Sequence, residues 1–475
     1  MSYKTIIGLE IHVELSTNTK AFCSCSNEFG GDPNTRVCPV CLGLPGALPV
    51  LNQNVVNYSI MAGLALHCSI AHYSKFDRKN YFYPDLTKGF QITQDDQALC
   101  NEGYLEIDGE KGPKKIGIYK IQMEEDTGKA LHTEGDETLM DYNRCGVPLI
   151  EIVSKPDLNS GQEARLFLEK LKNTLRYMNI SDCKMEEGSL RCDVNVNVVD
   201  EDTGQKTAVT EVKNLNSFRG VEKAIDYEVA RHIELLENNE KEIRTTRRWD
   251  DQNNKTILMR EKYTVADYRF APEGDLPPVV VTEEEIEKIQ SKMPELPEKK
   301  KARFMKDYQL SDYDAEVLTS TRELADFYEK IASRFDDYNM LANWITGEIL
   351  RRVELDEDGV IQLPFEESEF IILLQAIKDE KINNNAGKKV LREMFETGKG
   401  AEKIIEEQGL VQISDESALE KMVDKVLEDN PQSIEDYRGG KDRALGFLMG
   451  QVMKASKGKA NPQMVNQMLR EKLNS

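Results

Sequence analysis

The sequence predicts an α+β protein in which an antiparallel sheet occupies the first part of the chain and helices form the rest. Residues 5–15 and 191–199 alternate apolar and polar residues with the period of two that a half-buried strand requires. After residues 292–301, which hold two prolines and a charge cluster, apolar residues recur at the spacings of three and four typical of helices. The length of 475 residues suggests three domains, at roughly 150 residues each.

The first predicted strand has one apolar and one polar face. Glu10, His12 and Glu14 alternate with large apolar residues, so all three side chains share one side of the strand. Turn sequences separate this strand from shorter strand-like segments at residues 117–123 and 147–153. An antiparallel sheet with a single apolar face is the simplest arrangement for such strands.

Helices are predicted from their capping residues. Ser160 with Glu163 forms a capping box before an amphipathic segment, and Ser217 can cap a second one. A further capping box, Thr282 with Glu285, begins a helix that ends before the proline-containing segment. We interpret that segment, residues 292–301, as a linker between domains.

Charge restricts the partners of this chain. It carries 62 basic and 84 acidic residues, a formal net charge of −22. Such a chain will not bind nucleic acid indiscriminately, because phosphate binding needs local positive charge. Residues 431–475 supply it, with eight Lys or Arg against four Asp or Glu. A nucleic-acid partner is therefore expected to bind through this segment.

Composition also predicts the compartment. The longest run of large apolar residues lies near residues 370–374, far short of the roughly 20 residues that a membrane helix needs. The charged first strand is not a signal-peptide core, so we expect a cytoplasmic protein with no membrane partner. In the cytosol, nine cysteines indicate a metal site or buried thiols rather than disulfides.

A cluster of four cysteines is the strongest local motif. Twelve residues separate Cys23 and Cys25 from a second pair, Cys38 and Cys41. Two close pairs of thiolates can form a tetrahedral zinc site, and four protein ligands make such a site structural. The alternative is four buried or free thiols. The remaining cysteines are scattered, and we interpret them as core residues.

Carboxylates on the first strand raise the possibility of a second metal. Glu10, His12 and Glu14 face either water or a cation, because burying unpaired charge is costly. Acidic residues recur in the segment 124–129, and Glu151 lies inside an apolar run. Carboxylates with one imidazole suit Mg²⁺ or Mn²⁺ that also binds phosphate. A solvated sheet face is the competing interpretation.

Residues 75–89 mix cations with aromatic residues. This pattern could bind phosphate and stack on a base, although surface loops often have the same composition. No G-x-x-x-x-G-K-[ST] loop occurs, which excludes a Walker-type nucleotide site, and no G-x-S-x-G elbow occurs either.

Taken together, these motifs resemble the B-subunit family of tRNA-dependent amidotransferases, the GatB/GatE family. The resemblance spans the whole chain, and its last two motifs are similar to a YqeY-type tail. The motifs are GLEIHVEL at residues 8–15, CLGLPG at 41–46, RKNYFYPD at 78–85, EEDTGK at 124–129, NRCGVPLIE at 143–151, SLRCDVN at 189–195, EVKNLNSFR at 211–219, GGK at 439–441 and GFLMGQVMK at 446–454.

The resemblance implies a function. Members of this family amidate glutamate misacylated onto the tRNA for glutamine, and often aspartate on the tRNA for asparagine. ATP activates the side-chain carboxylate as an acyl phosphate, and ammonia then displaces phosphate. An amidase (A) subunit supplies the ammonia from glutamine, and a small C subunit completes a heterotrimer. This chain lacks the Ser–Ser–Lys amidase signature, so we do not expect it to make ammonia alone.

The resemblance also implies a domain plan. A glutamine-synthetase-like cradle with a zinc-binding insertion is expected at residues 1–292. A helical domain follows at 293–405, and a small helical, tRNA-binding tail at 406–475.

The resemblance further implies site residues. His12, Glu125 and Glu151 are the expected Mg²⁺ ligands, with Glu10 close enough to serve a second ion; these four form the predicted catalytic set. The expected ATP contacts are Arg78, Lys79, Lys88, Arg191 and Lys213 for phosphates, with Asp193 and Asn195 orienting the metal-bound nucleotide.

Two rival functions remain open. A metal-dependent RNA hydrolase would also need carboxylates and a basic patch. A non-catalytic, zinc-containing RNA-binding scaffold is the other. Consumption of ATP that depends on misacylated tRNA separates both from an amidotransferase.

Overall fold

The computed structural model describes most of the chain. The described residues are 2–110, 112–132, 137–261, 268–353, 361–411, 416–439, 441, 443–456 and 460–474. They form two compact units, Met1–Pro297 and Glu298–Ser475.

The first unit contains the strands and four helices. The strands are β1 (Tyr3–Glu14), β2 (Ser69–Ile70), β3 (Tyr73–Ser74), β4 (Asp77–Asn80), β5 (Phe90–Thr93), β6 (Cys100–Gly109), β7 (Gly112–Glu125), β8 (Lys129–His132), β9 (Thr138–Asp141), β10 (Pro148–Ser154), β11 (Leu190–Asp200), β12 (Thr210–Lys213), β13 (Thr245–Asp250), β14 (Lys255–Glu261), β15 (Ala271–Pro272) and β16 (Val279–Val280). The helices are α1 (Gln53–Ala65), α2 (Gly161–Tyr177), α3 (Phe218–Glu237) and α4 (Glu283–Lys292).

The secondary-structure elements described in the second unit are all helices. Its helices are α5 (Pro297–Asp307, beginning at the boundary residue), α6 (Asp312–Leu318), α7 (Arg322–Ala332), α8 (Tyr338–Trp344), a π-helical turn (Ile345–Ile349), α9 (Glu367–Lys378), α10 (Asn384–Thr397), α11 (Ala401–Glu407), α12 (Glu416–Asp429), α13 (Pro431–Arg438), α14 (Arg443–Ala455) and α15 (Pro462–Asn474).

A nine-stranded sheet organises the first unit. Its strand order is β14-β13-β12-β11-β1-β10-β7-β6-β2. The prediction of a mixed α and β protein with a helical second half is confirmed. The prediction of a purely antiparallel sheet is wrong at one place, since β12 and β13 run parallel. The chain reaches β13 through α3, the crossover that a parallel pair requires.

The central strand β1 separates the two faces of the sheet as its alternation predicts. Its apolar side chains, from Ile7 to Val13, are at most 1% exposed. They share one core with buried residues of α2 and α3, among them Phe167 and Val221. The opposite face carries the polar side chains of β1. This face therefore presents a row of titratable groups.

Helix termini follow the predicted caps with one difference. The Ser160 and Ser217 hydroxyls accept hydrogen bonds from the backbone at the starts of α2 and α3, and the Thr282–Glu285 capping box is complete. Glu163, however, accepts from Asn159 N instead of closing a box with Ser160.

The predicted linker is shorter than residues 292–301. Helix α5 already begins at Pro297, because a proline is tolerated in the first turn of a helix. The helices of the second unit form two separate apolar cores: α5 to α11 surround one, and α12 to α15 the other. Within the described residues, no helix is long and apolar enough to cross a membrane.

Candidate functional site

Several predicted site residues lie side by side on the polar face of the nine-stranded sheet. His12 lies directly opposite Glu151 on β10 and opposite Arg191 on β11, and Glu151 lies opposite Gln122 on β7. Directly opposed residues in antiparallel strands project to the same side of a sheet. These four side chains therefore cross four strands in a single row.

His12, Glu124 and Glu151 form a compact cluster on this face. His12 Nε2 lies 3.2 Å from Glu124 Oε1 and 3.8 Å from Glu151 Oε1. One ligand atom from each residue lies within 4.8 Å of the others, as a shared metal ion requires. Glu124 also accepts a hydrogen bond from Thr93 Oγ1 at 3.1 Å, and Gln122 donates to Glu151.

The structure places Glu124 in this cluster, where the sequence predicted Glu125. Side chains alternate along a strand, so Glu124 shares the face of Gln122 and Glu125 points to the other side. The Glu125 carboxylate instead pairs with Lys88 and accepts from Ile92 N at 3.0 Å. Two adjacent glutamates thus belong to two different environments.

The charges in the cluster shift one another's pKa values. Burial opposes protonation of His12, but the hydrogen bond and charge of Glu124 outweigh it and raise the His12 pKa to about 9. Burial, reinforced by the charge of Glu124, raises the Glu151 pKa to about 7. Concentrated negative charge therefore favours a cation here, either a proton or a metal ion.

Cationic side chains lie near the cluster. Arg191 donates to Asp126 Oδ2, and Arg144 Nε lies 3.5 Å from the same carboxylate oxygen. Lys79 packs its ammonium 4.9 Å from the centre of the Tyr268 ring, and its charge opposes the burial that raises the pKa of Glu151. Arg191 and Lys79 thus provide positive charge close enough to act on His12 and Glu151.

A second polar group continues along β11. Asn195 Nδ2 donates to Glu10 Oε1 at 2.9 Å, whereas Lys213 pairs with Asp193 and with Glu211, the latter at 3.1 Å. The predicted residues of this group therefore share one surface with His12.

Several polar atoms on this face have no partner in the described part of the chain. They are Gln122 Oε1, Arg191 Nε and Asn195 Oδ1, and all three are buried. Buried polar groups in native proteins are nearly always hydrogen-bonded, to protein, water or a ligand. Three such atoms on one sheet face can accept hydrogen bonds from, or donate them to, water or a polar ligand.

Arg78 forms ion pairs with carboxylates outside the His12 cluster. Its guanidinium forms a two-point pair with Glu273, at 2.7 and 2.8 Å, and reaches Asp275 Oδ2 at 3.0 Å. Arg78 and Lys88 are therefore both paired with carboxylates. Arg191 is also paired, with Asp126, but its Nε has no partner among the described residues.

The four predicted zinc ligands converge. Sulfur atoms of Cys23, Cys25, Cys38 and Cys41 lie within 4.8 Å of one another, and Cys41 Sγ is 3.9 Å from Cys38 Sγ. A tetrahedral zinc with sulfur at about 2.3 Å places its ligands roughly 3.8 Å apart. Cys38 N also donates to Cys41 Sγ at 3.1 Å. Hydrogen bonds from Cys23 and Cys38, with the nearby charge of Lys20, outweigh burial and lower the Cys41 pKa to about 4. The residues fit a structural zinc.

The cysteine loop packs against Lys88. Thr87 Oγ1 donates to Cys41 O at 2.9 Å, and a Cβ on Gly43 would lie 2.6 Å from Lys88 Cγ and 3.1 Å from Lys88 Cα. Gly43 has a φ of +67°, which also favours glycine. This close approach connects the cysteine loop to the Lys88–Glu125 pair.

Gly43→Ala should therefore lower the free energy of unfolding more than Gly46→Ala. Both glycines have positive φ, but nothing lies within 4 Å of a Cβ on Gly46. Both changes cost backbone strain of about 1 kcal/mol, and the Gly43 variant adds overpacking against Lys88 of about 1–3 kcal/mol. Urea denaturation of the two variants measures the difference. Equal losses of unfolding free energy would show that the Lys88 side chain moves aside without cost.

Sequence reasoning missed several of these residues. Glu124 was visible as a residue that shares the face of Gln122, but the motif contains two consecutive glutamates. Asp126 and Arg144 lie within recognised motifs, yet their pairing depends on the fold. Lys20 lies beside Cys41 without any signal in its sequence surroundings.

Comparison with known proteins identifies the family of this chain. Residues 5–287 match the family described as the GatB/GatE catalytic domain, and residues 326–473 match a second one, the GatB domain. Proteins named as the B subunit of aspartyl/glutamyl-tRNA(Asn/Gln) amidotransferase are similar over essentially their whole lengths. That of Finegoldia magna is 52% identical over 100% of both chains, and that of Carboxydothermus hydrogenoformans 52% over 99% of both. The Clostridium tetani protein is 51% identical over 100% of this chain and 99% of its own. Identity at this level over the complete chain shows that the protein belongs to the GatB/GatE family.

Proposed function

We propose that this chain amidates misacylated tRNA as the B subunit of a multi-subunit amidotransferase. Its substrates would be glutamate on tRNA(Gln), aspartate on tRNA(Asn), or both. ATP phosphorylates the side-chain carboxylate, and ammonia displaces phosphate to give the amide. The observation that carries the proposal is the His12–Glu124–Glu151 cluster, bordered by cations and unpartnered polar atoms, in a chain of this family.

The cluster fits a magnesium site. His12, Glu124 and Glu151 would hold the ion, and Glu10 could serve a second one farther along the face. A bound Mg²⁺ supplies neutralisation of the charge on a transferring phosphoryl group. Carboxylates favour a hard cation, and the negative charge of Glu124 contributes to the raised pKa values of His12 and Glu151.

The cations of the face are suited to ATP phosphates. Arg191 offers an Nε without a partner among the described residues, and Lys79 is close enough to the carboxylates to affect their titration. Lys213, Asp193 and Asn195 lie beyond them and would contact the nucleotide. Arg78 would first have to leave Glu273, so we assign it to holding β4 and β15 together.

The proposal includes an ammonia source and a domain plan. An amidase (A) subunit and a small C subunit would complete a heterotrimer, with ammonia passed from the amidase. The first 292 residues would form a glutamine-synthetase-like cradle with a zinc-binding insertion. Residues 293–405 and 406–475 would be a helical domain and a YqeY-like tail.

A single assay tests the reaction. The chain is combined with its partner subunits, glutamine, Mg²⁺ and ATP, with and without glutamyl-tRNA(Gln). We expect ATP cleavage only with the misacylated tRNA, with formation of glutaminyl-tRNA and intact RNA. RNA cleavage would indicate a hydrolase, and RNA binding without ATP cleavage would indicate a scaffold.

The tail offers a basic stripe for tRNA. In α14, Arg443, Phe447 and Lys454 lie within about 40° of one another around the helix axis at 100° per residue. Both cations are exposed, and Phe447 is 49% exposed. Two other basic residues of the segment, Lys457 and Lys459, lie outside the described residues.

Replacing Arg443 and Lys454 by Gln should weaken tRNA binding and its salt dependence. Each lost phosphate contact reduces the salt slope by about 0.7–0.9. These surface changes are preferable to deleting residues 431–475, because α12 shares a core with α14 and α15. The matched control replaces the exposed Lys421 and Lys425 of α12. Titration of tRNA at several salt concentrations measures both pairs, and equal slopes would contradict a role for the stripe.

A further inference from the structure

Lys20 occupies an unusual position for a lysine. The side chain is fully buried, with 0% of its surface exposed. Its Nζ donates to Arg36 O at 2.8 Å and lies 3.7 Å from Cys41 Sγ. Among the residues that the structure describes, no carboxylate lies within ion-pair distance of it. A buried ammonium without a counter-charge is costly, so an anionic partner is required.

The cysteine cluster can supply that partner. Zn²⁺ bound by four thiolates carries a net charge of 2 − 4 = −2, and Cys41, which Lys20 contacts, is one of the four predicted ligands. Groups that hydrogen-bond to metal ligands orient them and change metal affinity. The bond to Arg36 O additionally ties Lys20 to the segment that leads into Cys38.

We propose that Lys20 is the charge partner of the cysteine metal centre, donating an N–H···S hydrogen bond to Cys41 and reducing the net charge of the zinc-loaded cluster to −1. The inference rests on the zinc assignment made above. It makes Lys20 a positioning residue that determines how tightly the metal is held, with no role in the phosphoryl transfer.

Zinc release to a chromogenic chelator tests the inference on the full-length protein. We expect Lys20→Met, which keeps an apolar stem and removes the charge, to release zinc at least about 10-fold faster than the native chain. Lys20→Arg should restore part of the retention. The matched control is Lys300→Met. Lys300 is also buried, at 6% exposure, but it pairs with Asp326 and Glu329 in the second unit. That variant should release zinc at the native rate.

A second measurement separates charge pairing from simple packing. Urea denaturation is compared for native and Lys20→Met chains, each with zinc bound and after removal of the metal. We expect the mutation to lower stability more when zinc is bound, because only then does the cluster carry its full negative charge. If Lys20→Met does not fold, Lys20→Gln is used in both measurements. It removes the charge and retains an N–H hydrogen-bond donor.

Three results are decisive. Zinc retention at the native rate by the charge-free variants would overturn the inference. Equal destabilisation with and without zinc would also overturn it and leave Lys20 a packing residue. Metal analysis of the native chain comes first. If the native protein binds no zinc, the zinc assignment itself is refuted before any variant is tested.

Discussion

Glu124→Gln should abolish tRNA-dependent ATP cleavage and amide formation together. Gln keeps the size of the side chain and its contact with Thr93, but it removes a charge that His12 and a bound Mg²⁺ both need. Neutralisation of transition-state charge by a metal is worth several kcal/mol, so a rate loss of about 10²-fold or more is expected. His12→Ala should behave in the same way. Single-turnover phosphorylation of glutamyl-tRNA measures the effect.

Glu125→Gln is the matched control for this experiment. The two glutamates are adjacent and both are buried, but Glu125 faces Lys88 and not His12. ATP cleavage should therefore stay close to the native rate in this variant. Amide formation, followed in the same reaction, shows whether Glu125 acts at the ammonia step. If Glu125→Gln stops phosphorylation and Glu124→Gln does not, the metal assignment returns to Glu125.

Cys41→Ser should remove zinc and loosen the cysteine loop. It deletes one of four sulfur ligands, and structural zinc contributes folding free energy directly. Phosphorylation should survive in part, because no cysteine lies in the His12 cluster. Zinc content and the rate of proteolysis within residues 22–46 measure the loss.

The control for this variant is Cys68→Ser. Cys68 is buried away from the cluster and its Sγ donates to Leu66 O, which a serine hydroxyl can also do. This protein should retain its zinc and resist proteolysis in the loop. A Cys41→Ser protein with native zinc content would remove Cys41 from the ligand set.

Local sequence patterns were enough to predict the two faces of β1 and the convergence of the four cysteines. The alternation in β1 was enough to predict an apolar face in the core and a polar face carrying His12. The spacing of the four cysteines was enough to predict that their sulfur atoms meet. Side-chain direction in a strand and the closure of a short loop depend on neighbouring residues, so such features can be read from the chain alone.

Only the tertiary structure decided which partner each polar residue has. Glu124 and Glu125 are equivalent in the sequence, and the register of β7 against β10 assigns one of them to His12. Arg78 meets Glu273 across a sequence separation of 195 residues, and the parallel pairing of β12 with β13 is likewise non-local. Lys20 contacts Cys41 only because the cysteine loop folds back beside it. Ion pairs and strand registers of this kind arise from contacts between distant segments, and no local periodicity encodes them.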